Sequence, residues 1–208
     1  MDSIDELSDK LLTVLKNYKG KRLFTVAISG IDASGKGYVS KLLQDELEAR
    51  GYKVVTIAID PWQNPISIRL QKENAAENFY NNVYRWPHFF DQLIRPLQQK
   101  KSILFKTNLI RTDADKYYPF TYHYERPDIL LIEGIFLLQE KYLSYYDWKI
   151  WIHCSFETGL KRAVKRNAEG LGEKDLIMYY TTHYYPAQRY HFDKDQPAEK
   201  ADVIFVND

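Results

Sequence analysis

Cysteine is nearly absent: Cys154 is the one thiol in 208 residues. No internal disulfide can form, which suits a reducing cytosol. The thiol lies in the apolar run Trp148 to Cys154 and reads as a buried strand residue rather than a nucleophile. Excess charge of one sign is also missing. Twenty-nine basic residues face 28 acidic ones, net +1, so the bulk charge points to neither nucleic acid nor membrane as a partner. No apolar run reaches the ~20 residues that span a bilayer. The most apolar stretch, Ile129 to Leu138, is short and interrupted by Glu133. The opening residues, Met1 to Glu6, are acidic and lack the basic-then-apolar layout of a signal peptide. The five histidines show no HxxxH or HxH spacing, and no second cysteine could join them, so a zinc site is not expected. Repeats, linkers and low-complexity segments are lacking. These absences lead to the expectation of a cytoplasmic protein, with residues 1–208 forming one domain large enough for a real core.

What the chain does have is a glycine-and-lysine loop in a telling context. The β-prone run Leu23 to Ser29 ends in Gly30-Ile31-Asp32-Ala33-Ser34-Gly35-Lys36-Gly37, and Tyr38 to Glu48 reads as a helix behind it. Strand, GxxxxGK and helix together form a phosphate-binding loop. Its glycines let backbone N–H groups turn inward around a β-phosphate, and the helix N-terminus adds partial positive charge. Lys36 would reach the β- and γ-phosphates. Residues Gly30 to Tyr38 are therefore the candidate nucleotide contacts. Gly37 departs from the pattern: a Ser or Thr there supplies a hydroxyl to magnesium, and glycine cannot.

The rest alternates strands and helices. Residues 3–18 form an amphipathic helix with Ile4, Leu7, Leu11, Leu12 and Leu15 on one face. Ser3 and Glu6 have the spacing of a capping box. A second strand runs from Tyr52 to Asp60, a helix from Pro87 to about Lys100, and buried strands over Ile129 to Phe136 and Trp148 to Cys154. A basic helix covers Glu157 to Asn167, a further helix Asp175 to about His183, and a last strand Asp202 to Val206. Five apolar strands interleaved with helices require a mostly parallel sheet covered on both faces, a three-layer α/β fold. Residues 62–126 make an excursion from it, with short β-like pieces such as Ile103 to Phe105. Residues 157–185 make a small helical lid.

Several side chains could carry chemistry. Asp60 closes the second strand, where open α/β sheets bind ligands; it could take a proton from a hydroxyl and face a metal. Glu133, in an apolar strand, is the second candidate metal ligand, its alternative being an ion pair with Lys36. Arg162 and Arg166, four apart on the basic helix, share a face and could neutralise a transferring phosphoryl group. Arg85, His88, Tyr118, His123 and Arg126 belong to aromatic-rich stretches that could line an acceptor pocket. Tyr179-Tyr180 and Tyr184-Tyr185 read as core or lid packing.

In order, these elements resemble the uridine kinase and phosphoribulokinase family of phosphate-loop kinases. The resemblance covers nearly the whole chain after residue 20. It rests on the loop, Asp60, the segment Tyr84 to Ile94, Glu133-Gly134-Ile135-Phe136, Arg162 to Asn167, and the closing segments Tyr185 to Tyr190 and Lys200 to Ile204. It implies transfer of the γ-phosphoryl of ATP or GTP, with Mg2+, to an alcohol of a small-molecule acceptor, and it allows a homo-oligomer. Asp60 would be the general base and a metal ligand, Glu133 the other metal-facing carboxylate, and Lys36, Arg162 and Arg166 the phosphoryl contacts. Where that family's nucleoside kinases carry a ribose-holding aspartate, this chain has Arg85, which cannot accept hydrogen bonds and suits an acidic acceptor such as a sugar phosphate, glycerate or pantothenate. Gly37 motivates a second reading, a nucleotide-binding regulatory protein with weak or no catalysis. A nucleotide hydrolase is a third.

Overall fold

Five strands form one parallel sheet in the order β2-β5-β1-β6-β7. They are β1 (Phe24–Gly30), β2 (Val54–Ala58), β5 (Ile129–Gly134), β6 (Trp148–His153) and β7 (Val203–Val206). The computed structural model describes residues 3–111, 115–168 and 170–208. Met1 and Asp2, residues 112–114 of the expected excursion and Glu169 of the expected lid lie outside them. Strand β1 is buried along its whole length, so it and β5 carry near-continuous apolar runs, as central parallel strands do.

Side-chain alternation splits the core. Phe24, Val26, Ile28, Ile129 and Leu131 face one side, against Leu7 and Leu11 of α1 (Ile4–Asn17) and Val39, Leu43 and Leu47 of α2 (Lys36–Ala49). Ala27, Leu130 and Ile132 face the other. There they meet α4 (Ala75–Asn82), the π-helical segment His88–Ile94, α5 (Arg95–Lys100) and α8 (Tyr185–Asp195). The three layers expected from the sequence are present.

The local differences have physical causes. Ser3 occupies the N-cap of α1, but its side chain makes no cap hydrogen bond, so the expected capping box does not close. The Pro87–Lys100 helix is π-wound through His88–Ile94, which turns Phe89, Phe90, Leu93 and Ile94 all into the core. Residues 101–126 hold more than short β pieces. They make an antiparallel ribbon of β3 (Ser102–Arg111) and β4 (Lys116–Glu125), registered Leu104 to His123 and Leu109 to Tyr118. After β6, α6 (Phe156–Arg166) and α7 (Glu173–Tyr179) are followed by a second π-helical turn, Tyr180–Tyr184, that runs into α8. Among the described residues no helix is long and apolar enough to cross a membrane.

Candidate active site

The phosphate loop joins β1 to α2 at the C-terminal edge of the sheet. Two glycines shape it. A Cβ on Gly30 would come within 2.6 Å of the Ile152 carbonyl, and Gly35 has φ +90 with the Asn207 amide 2.3 Å from where its Cβ would stand. Only glycine meets both demands without strain. The first hydrogen bond of α2 runs from the Val39 amide to the Gly35 carbonyl, 2.9 Å. The amides of residues 36–38 thus precede the intrahelical ladder and are oriented for an anion.

Two distant residues brace the loop. The Asp32 amide donates to Gln188 Oε1 of α8 (3.1 Å), and Asn207 Nδ2 donates to the Ser34 carbonyl (2.7 Å). The Ala33 amide donates to Asp32 Oδ1 at 2.8 Å. Lys36, largely buried, donates Nζ to the Ile31 carbonyl at 2.8 Å and not to Glu133. The ammonium is held at the loop, in place for phosphate. Ile31 is buried and Tyr38 is exposed.

Facing the loop, Asp60 opens a tight 3-10 turn, Asp60–Trp62, just past β2. Its carboxylate accepts a 2.6 Å hydrogen bond from the Tyr84 hydroxyl. Glu133 pairs in register with Ala58 of β2 and Ile28 of β1, so it stands between Asp60 and the loop strand. Asp60 opens into a cavity yet is surrounded by protein. That desolvation raises its pKa, against the Tyr84 hydrogen bond and the charge of Lys36. Burial, then repulsion from Asp60, lifts Glu133 to about 7, with Lys36 opposing. Carboxylates that disfavour each other's charge beside a single lysine are an environment that a cation relieves.

The cavity between these elements measures about 140 Å³. Asp32 and Lys36 of the phosphate loop line it together with Asp60, Gln63, Arg69, Phe79, Tyr84 and Arg166. Ala168 and Tyr184 also belong to the lining. Arg166 Nη2 lies 3.9 Å from Asp32 Oδ1 and 3.5 Å from the Tyr180 hydroxyl. Among the described residues no ready-made cluster of three or more metal ligands exists. Magnesium does not need one, since it takes one or two carboxylates plus substrate phosphates and waters. Asp60 and Glu133 fit that pattern.

Not every expected residue arrives at the cavity. Arg162, one turn before Arg166, donates Nη1 to the Asn207 carbonyl at 2.7 Å and contacts Cys154 Sγ at 3.5 Å, away from the lining. It clamps the chain end that braces the loop. Arg85 donates to the Asn108 carbonyl at 2.7 Å and sits over the rings of Trp62 and Tyr117. His88 is exposed at the start of the π-helical segment. Tyr118 packs against the core from β4, and exposed His123 pairs with Glu125. Arg126 ends the ribbon with φ +45, its amide bonded to the Lys101 carbonyl. None of these five lines the cavity. Their place is taken by Gln63, Arg69 and Tyr84, brought together because Gln63 bridges to Tyr84 across an isolated antiparallel pair. One signal for Arg69 was present in the sequence: it is the only charge between Asp60 and Lys72.

A phosphate loop on a parallel sheet of this order, with acidic side chains at the ends of β2 and β5, decides the architecture. The fold is that of the phosphate-loop kinases. Solved structures share it over almost the whole chain. One is described as a possible uridine kinase from Bacillus stearothermophilus, with TM-score 0.78, 21% identity, and 97% of this chain and 96% of that one covered. A candidate fructose transport system kinase from Silicibacter sp. TM1040 gives 0.81 at 17% identity over 99% and 100%. The D-glycerate 3-kinase of Cryptococcus neoformans var. grubii gives 0.68 at 9% identity over 98% and 94%. No family model and no curated protein sequence matches the chain.

Proposed function

We propose that this protein is a phosphotransferase that moves the γ-phosphoryl of ATP or GTP to an alcohol of a small molecule. The observation that carries the reading is one cavity lined both by Lys36 of the phosphate loop and by the Tyr84-anchored Asp60. A binding loop alone would serve any nucleotide protein. A carboxylate held to face it is what an alcohol acceptor needs.

In the step itself, the acceptor oxygen forms a bond to the γ-phosphorus as its O–H proton passes to Asp60. The bond from that phosphorus to the β,γ-bridging oxygen breaks, and its electron pair leaves with the nucleoside diphosphate. Asp60 acts in its ionised form, which Tyr84 and Lys36 favour against burial. Lys36 and Arg166 meet charge on the phosphoryl oxygens, and the fixed loop amides position the chain of phosphates. Asp60 and Glu133 are the residues that would hold magnesium. When bound, the ion neutralises phosphate charge and would lower the repulsion between these carboxylates. The neighbouring structures described as uridine, fructose transport system and glycerate kinases support transfer to a small alcohol over hydrolysis. The balanced charge and lone thiol support the cytoplasm as its place of action.

Asp60→Asn tests the assignment. Turnover is expected to fall about 10²–10⁴-fold, the usual contribution of a general base, while nucleotide binding measured by titration calorimetry stays within a few-fold. Full turnover in the variant would remove Asp60 from the role.

A further inference from the structure

Outside the phosphate loop, the cavity lining holds a buried cation, Arg69. Arg69 ends the short helix α3 (Ile66–Arg69) and is only 5% exposed, although it carries a full charge. Both hydrogen bonds of its guanidinium among the described residues are made by Nη1, to the Asn64 carbonyl at 2.8 Å and to Asp115 Oδ1 at a long 3.4 Å. A guanidinium has five N–H donors and no acceptor. Two contacts through one nitrogen fix the group without using up its fork, and Arg69 borders the cavity. A buried cation with one long carboxylate contact is costly unless something else completes its neutralisation.

Its neighbours point the same way. Among the described residues that line the cavity, the carboxylates are Asp32 and Asp60. Asp32 accepts from the Ala33 amide at the loop, and Asp60 accepts from Tyr84. Around Arg69 the lining supplies the Gln63 amide and the rings of Phe79 and Tyr84, with no carboxylate to hold a row of sugar hydroxyls. We infer that the acceptor carries an anionic group, a carboxylate or a phosphate, which Arg69 holds while Asp60 faces the hydroxyl to be phosphorylated. This rests on the phosphotransferase reading above. The anion places the acceptor end-on: its charge at Arg69, its short carbon stem along Phe79 and Tyr84, its alcohol toward the loop. Arg85, by contrast, bonds the Asn108 carbonyl, lies over two aromatic rings and does not line the cavity.

Binding separates this inference from catalysis. Calorimetric titration of the protein loaded with a non-hydrolysable nucleotide would compare D-glycerate and pantothenate (carboxylates), ribose 5-phosphate and fructose 6-phosphate (phosphates), and uridine and glycerol (neutral). At least one anion is expected to bind more tightly than both neutral alcohols. Arg69→Gln should weaken that anion about 10- to 100-fold, as for loss of a charged hydrogen-bonding partner, with nucleotide affinity unchanged. Arg69→Lys, which keeps the charge and tests the fork should the glutamine variant misfold, should recover part of the loss. Carboxylate and phosphate probes distinguish which anion the fork fits. Preference for a neutral alcohol, equal anion binding in the Arg69 variants, or no binding of any anion overturns the inference. Anion binding that depends on Arg69 but leads to no transfer with ATP or GTP overturns the phosphotransferase reading and leaves the anion site standing.

Discussion

Gly37 is the residue where the sequence departs most plainly from a phosphate loop with a complete metal shell. A Cβ built there meets nothing within 4 Å, so a serine fits without moving a neighbour. Glycine inside a helix costs about 0.5–1 kcal/mol relative to alanine. Gly37→Ser is therefore expected to stabilise the fold by a few tenths of a kcal/mol and to lower the magnesium concentration that gives half-maximal turnover. Denaturant melts and a magnesium titration read the two effects. An unchanged magnesium requirement would show that this position does not face the ion. At this scale the placing of Lys36, Asp60 and Glu133 near one another was legible because each position is marked by local pattern: a glycine loop, a strand end, a charge in an apolar run. Arg85 and Arg69 were not distinguishable that way. Which of two arginines faces a cavity depends on Asn108, Trp62 and Tyr117 meeting Arg85 across the ribbon, a contact between elements that no local spacing encodes.

Helix α8 shows the same limit one level up. Its buried positions include Tyr185, Gln188, His191 and Asp195, which share one face. Three of the four are polar, so the sequence presents no apolar stripe and the helix is hard to recognise. The structure explains why they are buried. Gln188 braces the phosphate loop. Asp195 accepts from the Tyr80 hydroxyl of α4 and the Glu140 amide, and shares a 2.8 Å hydrogen bond with His191 Nδ1. This network ties α8, which braces the loop, to α4, which supplies Phe79 to the cavity. It also makes stability depend on pH. Burial holds His191 below its ordinary 6.5, against the pull of Asp195. The unfolded chain then gains a proton that the folded chain refuses, so stability falls as pH drops below about 6.5. Burial pushes Asp195 up, but hydrogen bonds from His191, Tyr80 and Glu140 outweigh it and hold the carboxyl below 3.8. Its contribution is present above that value and is lost in stronger acid. Urea melts from pH 7 to pH 5.5 should show a falling midpoint, with a flatter fall in His191→Gln. An equal slope in both proteins would remove His191 as the cause.

Across the whole molecule, the parallel sheet sets the position of everything else. Five apolar strands and their intervening helices made the layer order legible, since buried parallel strands leave continuous apolar runs. The β3–β4 ribbon was seen only as fragments, because its strands are half exposed and rich in tyrosine and charge. With the sheet in the order β2-β5-β1-β6-β7, the ends of β2, β5 and β1 are adjacent. That adjacency converts three separate motifs into one site: Asp60 beyond β2, Glu133 in β5 and Lys36 after β1. The central claim is that this site moves a phosphoryl group from a nucleotide to an alcohol. The most direct measurement is nucleotide consumption with magnesium, with and without each acceptor of the panel above, and product identified by mass. The account requires consumption that rises with one acceptor and a product heavier by one phosphoryl group. Nucleotide that binds tightly yet is never transferred, or phosphate released at the same rate whether or not an alcohol is present, would contradict it.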